Sequence, residues 1–219
     1  MSQISQSALI LLMGAGTTLL VSLAGNALGL VIGTSICLMR LSQARLARAI
    51  AIAYVSFFRG VPLLVQLLIV FYFLPAVGLD MPPFVAAIIG LGICSAAYQA
   101  ENLRGGFLII PRGQAEAANA FGYTPTQTRR YILIPQAMRA AAPALVNEVI
   151  LIVKASSLVS VVGVADLMRV SQNIVARDLR PIIWYAAAAF IYFIINVVLA
   201  RIGQAVEWRL NVGHVKGAL

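Results

Sequence analysis

The sequence predicts an all-α integral membrane protein with five transmembrane helices. Of 219 residues, 61% are hydrophobic and only 11% are charged, where a soluble domain carries about a quarter. The mean hydropathy is +0.94, and the apolar runs reach the ~20 residues that cross ~30 Å of hydrocarbon. A chain this apolar cannot cover its own surface with polar groups. No internal repeat or low-complexity linker divides it, so residues 1–219 read as one domain.

The first span is expected from Ala8 to Met39. Within it Gly25, Gly29 and Gly33 recur every four residues and form one stripe on a helix. Small-residue stripes let membrane helices approach closely. Packing within the subunit is the favoured use, with a contact to a second copy as the alternative. No cleavable signal peptide is expected, because the N-terminus lacks a basic n-region and the apolar run is too long. The second span, Ile50 to Leu74, is interrupted at Arg59-Gly60-Val61-Pro62, where proline removes a helix donor and predicts a kink. The third runs from Phe84 to Ile110, the fourth from Ala141 to Ala165, and the fifth from Ile182 to Ile202.

Charge orients these spans. With the N-terminus outside, the cytoplasmic segments hold Arg40, Arg45, Arg48, Arg112, Arg129, Arg130, Arg139, Arg201, Arg209 and Lys216. The opposite side holds only Arg169, Arg177 and Arg180. Positive residues concentrate on the cytoplasmic side, so the N-terminus is expected outside and the C-terminus in the cytoplasm. Arg59 is expected to anchor the cytoplasmic end of its span. Asp166, Asp178 and Arg180 read as solvated charges of an outward loop. The formal charge of +9 is spread singly, without a dense patch or recognition motif, which excludes nucleic acid as a partner. Cys37 and Cys94 lie far apart in apolar runs and read as small buried hydrophobes, neither a disulfide nor a metal site.

One cytoplasmic stretch departs from this greasy background: "EAANAFGYTPTQTRRYILIP", Glu116 to Pro135. Pro111 starts a helix, and Arg112 to Phe121 is alanine-rich and helix-forming. Gly122 stands where a left-handed glycine ends a helix. Thr124 caps the next helix, Pro125 suits its first position, and Gln127 completes a capping box. Two short helices joined by a tight glycine turn follow, the second ending in a kink or exit at Pro135. Ala117, Ala118 and Ala120 keep the first helix thin enough to enter a groove.

This stretch resembles the EAA loop of permease subunits of binding-protein-dependent ABC importers: Glu116, Ala117, Ala118, Gly122, Ile132 and Pro135 fall on its fixed positions, and Ile134 replaces its leucine. "YVSFFRGVPLLVQLLIVFYFLP" (Tyr54 to Pro75), "AAYQAENLRGGFLIIPRGQAEAA" (Ala96 to Ala118) and "NEVILIVKASSLVSVVGVADL" (Asn147 to Leu167) are similar to the polar amino acid group of those permeases, which serves histidine, glutamate, glutamine, arginine and opines. Val61, Asn102, Phe107 and the Ala155-Ser156 pair depart from that group's usual residues and leave the cargo open.

The resemblance implies a type I importer permease fold with cytoplasmic coupling helices, about residues 111–137, and residence in the cell inner membrane. It implies two cytoplasmic ATPase subunits that grip these helices, a second permease subunit as homodimer or heterodimer, and an extracytoplasmic amino acid-binding protein. The outward loop from Asp166 to Arg180 is where that protein would dock. Glu116, Ala117, Ala118, Phe121, Gly122 and Tyr123 are the implied contacts with the ATPase. The chain itself is then no enzyme and binds no cofactor. ATP and Mg belong to the partner, in keeping with a sequence where "GGFLIIPRG" lacks the Gly-Lys-Ser/Thr end of a phosphate-binding loop.

Ionisable residues within spans are costly and usually face a cavity or a partner. Glu101 and Arg104, three residues apart, share a helix face with Tyr98 and can pair. Asn102 adjoins them, and Asn147, Glu148 and Lys154 lie on the fourth span. A zwitterionic cargo needs a carboxylate for its ammonium and a cation for its carboxylate. Tyr98, Glu101, Asn102, Arg104, Glu148 and Lys154 are therefore the candidate substrate contacts, against the plainer reading of ion pairs that hold the bundle together. An ion-coupled secondary transporter is the alternative function, and it leaves the Glu116–Pro135 stretch without a purpose. A membrane enzyme fits less well, with His214 as the single histidine and no carboxylate cluster.

Overall fold

The structure, a computed structural model, describes residues 3–211; Lys216 and His214 lie outside the described residues. Helix α1 (Gln3–Arg40) is followed by α2 (Arg45–Gly60), α3 (Leu63–Ala76) and α4 (Pro83–Leu108). A short helix, α5 (Gly113–Ala120), leads through one turn, α6 (Pro125–Gln127), and a π-helical turn (Thr128–Leu133) into α7 (Ile134–Ala155). A 3-10 helix (Ser156–Val162), α8 (Leu167–Asp178) and α9 (Pro181–Asn211) complete the chain. Among the described residues there is no strand. Among the described residues four helical segments are long and apolar enough to cross a membrane, and the bent pair α2–α3 reaches the same length and apolarity when its two helices are taken together.

The expected kink at Gly60–Pro62 is a break: α2 and α3 meet at 108°. Pro62 caps α3 in an extended conformation. The buried amide of Gln66 donates to the carbonyls of Phe58 and Val61 at 2.9 and 2.7 Å, so it satisfies acceptors that the broken helix leaves open.

The glycine stripe packs within the chain. A Cβ on Gly25 would stand 2.9 Å from Leu91 Cβ, on Gly29 2.9 Å from Ser95 Cβ, and on Gly33 2.8 Å from the carbonyl of Ala96. All three neighbours lie on α4, so the stripe is what lets α1 and α4 touch along their lengths. Apolar clusters mark three levels of the bundle: Leu11, Leu167 and Trp184 join α1, α8 and α9. Val21, Leu67, Leu91 and Val159 fill the middle, and Ile36, Val55, Leu103 and Ala141 join α1, α2, α4 and α7 at the far end.

Two further expectations are corrected. Of the two outcomes expected at Pro135 the exit does not occur: the helix that Thr124 opens runs on through a π-helical turn into α7. Proline cannot donate to the carbonyl of Tyr131, and the π-turn absorbs that loss, with the Ile134 N–H reaching back to Arg129. Asp166 is no solvated charge but fully buried. It caps α8 by accepting from the N–H groups of Met168 and Arg169 at 3.2 and 2.9 Å, and from the Tyr192 hydroxyl at 3.3 Å. Asp178 accepts from the Trp184 indole at 2.6 Å.

Candidate functional site

Two places hold the residues with functional potential. The first is the turn after α5. Gly122 has φ +81°, and its N–H bonds to the carbonyl of Asn119 at 3.0 Å while that of Tyr123 reaches Ala118 at 3.1 Å. This pair of bonds is a Schellman closure, and it needs the left-handed residue that glycine supplies. Thr124 then receives the Gln127 N–H at 3.3 Å and gives its own N–H to the Gln127 side chain at 2.9 Å. The two terminations turn the chain sharply and push side chains outward: Phe121 is 83% exposed and Tyr123 43%.

Glu116, Ala117, Phe121, Gly122 and Tyr123 all lie on this exposed knob, while Ala118 is buried beneath it. Ala118 and Thr128 face inward. Gln136 of α7 donates to Gln114 of α5 at 3.1 Å. Gly106 of α4 lets α7 approach closely, since a Cβ there would meet Ala141 Cβ at 3.0 Å as well as the carbonyl of Ala137. The knob is thus attached to the base of two spans.

The second place lies between α1, α2 and α4, where Arg40, Ile52, Val55, Ser56, Arg59, Gly60, Tyr98 and Glu101 line a cavity of about 600 Å³. Glu101 and Arg104 do pair, through Nε at 3.1 Å to both oxygens and Nη2 at 2.7 Å. Glu101 also accepts from Arg40 at 3.2 Å. Arg59, in the last turn of α2, lies over the ring of Tyr98, 5.4 Å from its centroid.

The remaining candidates are dispersed. Asn102 donates to the carbonyl of Ala144 at 3.3 Å and so bridges α4 and α7. Glu148 is 4% exposed and receives the Ser95 hydroxyl at 3.4 Å. Behind Ser95, Gln99 donates to Ser95 at 2.9 Å and to the Asn26 carbonyl at 3.0 Å, a buried polar chain across α1, α4 and α7. Sequence reasoning missed this chain and the role of Arg40; polar Asn26, Ser95 and Gln99 inside apolar runs were its only signal. Lys154 lies apart, in a groove of about 420 Å³ shared with Tyr192 and Asn196 of α9. Asn147 and Lys154 occupy one exposed stripe of α7 with Ala140, Ala144 and Leu151.

Known proteins share this architecture and sequence. The chain is 40% identical to the L-cystine transport system permease protein TcyB of Bacillus subtilis over 184 residues, 84% of this chain and 79% of that one. It is 38% identical to the glutamine transport system permease protein GlnP of Escherichia coli over 206 residues, 93% of this chain and 94% of that one. A solved structure of an amino acid ABC transporter with histidines superposes with a TM-score of 0.88 at 35% identity, covering 94% of this chain and 96% of the other. The MetNI methionine ABC transporter in an inward-facing conformation shares the fold, with a TM-score of 0.79 at 24% identity over 96% of this chain and 99% of that one. Since residues 25–212 also match the family profile over most of the bundle and all of the knob, the chain belongs to the family of binding-protein-dependent transport system inner membrane components.

Proposed function

We propose that the chain is the permease subunit of an ATP-driven, binding-protein-dependent importer of polar amino acids in the cell inner membrane. Its own part is to form the translocation path, and it hydrolyses nothing. Two cytoplasmic ATPase subunits bind ATP and Mg and grip the knob through Glu116, Ala117, Ala118, Phe121, Gly122 and Tyr123. The observation that carries this reading is the knob itself, an exposed phenylalanine on a doubly capped turn tied to the bases of α4 and α7. Closure of the ATPases around nucleotide would move the knob, and the knob would move both spans.

The α1–α2 elbow carries Arg40, Arg45 and Arg48, the knob and the start of α7 carry Arg112, Arg129, Arg130 and Arg139, and the second half of α9 carries Arg201 and Arg209. Facing these segments to the cytoplasm satisfies the bias of positive residues, with the N-terminus outside and α8 turned toward the amino acid-binding protein. Asn147 and Lys154 on an exposed stripe of a span would be costly against lipid. A second permease subunit, identical or homologous, covers that stripe and completes the path. Tyr98, Glu101, Asn102, Arg104, Glu148 and Lys154 are the polar groups along it.

Uptake of labelled amino acid into proteoliposomes tests the reading. Uptake should require the binding protein and ATP on the knob side, and should persist when proton and sodium gradients are collapsed. Uptake driven by an ion gradient without ATP would overturn it.

A further inference from the structure

The cavity between α1, α2 and α4 holds more positive charge than it balances. Three guanidiniums, Arg40, Arg59 and Arg104, meet a single carboxylate, Glu101. That carboxylate is already committed: Arg104 takes both its oxygens through three contacts and Arg40 adds a fourth. Arg59 is left over. Among the described residues its exposed guanidinium has no carboxylate within ion-pair distance and makes no side-chain hydrogen bond, only the contact with the face of Tyr98. A ring face substitutes weakly for an anion. Glu148 of α7 is buried against Ser95 and does not line the cavity.

A guanidinium within a membrane bundle that no carboxylate touches can take an anion, and its planar fork fits the paired oxygens of a carboxylate or phosphate. The volume of about 600 Å³ lies within the usual range of small-molecule sites. Ser56, at the wall, adds a hydroxyl donor.

We propose that Arg59, supported by Arg40 and Ser56, forms an oxyanion site that takes a carboxylate or phosphate group. Resting on the amino acid permease reading, the first source is the carboxylate of the cargo. The committed state of Glu101 then has a consequence for cargo class: no free anion remains in the cavity to receive a cationic side chain. Acidic and neutral amino acids are accepted here, and arginine and lysine are disfavoured. The second source of the same chemistry is the phosphate of an anionic lipid headgroup.

The test uses the purified transporter in nanodiscs of phosphatidylcholine, without the binding protein, so that selectivity comes from the membrane subunit. L-glutamate, L-glutamine and L-arginine are titrated calorimetrically, and retained phosphatidylglycerol is measured by native mass spectrometry in mixed-lipid nanodiscs. Saturable glutamate binding, at least tenfold tighter than arginine and weakened at least tenfold by Arg59→Gln, supports the site with cargo as its ligand. Retention of phosphatidylglycerol that is lost in Arg59→Gln, with no glutamate binding, supports it with lipid as its ligand. Arg59→Lys, which keeps the charge and loses the fork, should recover only part of either signal.

If Arg59→Gln does not fold, the wild-type protein still decides. Tighter binding of glutamine than of its carboxamide, or of phosphatidylglycerol than of phosphatidylcholine, supports the site; equal binding in both comparisons overturns it. Arginine bound as tightly as glutamate, or glutamate and lipid binding both indifferent to Arg59→Gln, also overturns it. Either failure can occur while ATP-driven uptake persists, so it is distinguishable from failure of the permease reading.

Discussion

Gln136 donates its side-chain amide to Gln114 across 3.1 Å and ties α5 to α7. The two residues lie 22 positions apart, on either side of the turn. The contact is exposed, so its net contribution to stability is about 0.5–1.5 kcal/mol. Its position suits transmission better than it suits stability. Gln136→Ala is expected to shift the melting midpoint little and to lower the amino acid transported per ATP hydrolysed. A ratio equal to the wild type, measured in proteoliposomes, would reduce the bond to a surface contact.

Gly122→Val places a β-branched residue at φ +81°. The left-handed conformation costs a non-glycine residue roughly 1–2 kcal/mol, and more when it is β-branched. The knob should unwind while the spans remain inserted. Stimulation of ATP hydrolysis by the loaded binding protein is expected to fall at least tenfold, with unchanged expression in the membrane. Unchanged stimulation would remove this turn from the coupling route.

The glycines of α1 separate packing from helix propensity. Gly33→Ala drives a methyl to 2.8 Å from the Ala96 carbonyl, a backbone atom that cannot step aside. The expected loss is about 1–3 kcal/mol. Gly16→Ala meets nothing within 4 Å and should be neutral or stabilise by up to about 1 kcal/mol. Thermal unfolding in detergent compares the two, and equal midpoints would contradict the α1–α4 seam.

Asp166 holds three elements together: it caps α8, accepts from Tyr192 of α9, and sits beside Thr18 of α1, whose hydroxyl accepts the Leu167 N–H at 3.0 Å. Asp166→Ala strips the cap and leaves buried donors unpaired, at a cost of about 2–4 kcal/mol. Asp166→Asn retains one acceptor oxygen and should lose less. Proteolysis of α8 in intact membranes is the readout; equal resistance in both variants would deny Asp166 that role.

The knob was legible in the sequence because its determinants are local. Gly122, Thr124, Pro125 and Gln127 specify a stop and a start within six positions, and the structure realises both. The α1–α4 seam was legible for a similar reason, since a four-residue glycine repeat has few uses in a membrane helix. The size of the break at Gly60–Pro62 was not, because Gln66 and packing on α4 set the angle. Pro135 misled because a π-turn rescues a proline that an α-helix could not keep. Asp166 misled, and the contact of Arg40 with Glu101 went unread, because those environments come from partners far along the chain, Tyr192 and Glu101.

The central claim is that force enters through the exposed knob, and proximity of Phe121 to the ATPase tests it most directly. A photo-crosslinking residue in place of Phe121, in cells that also make the cognate ATPase, should give one crosslinked product that contains that ATPase. Its yield should change when the ATPase is trapped with ADP and vanadate. Crosslinks only to lipid or to the subunit's own α7, with none to the ATPase, would contradict the account.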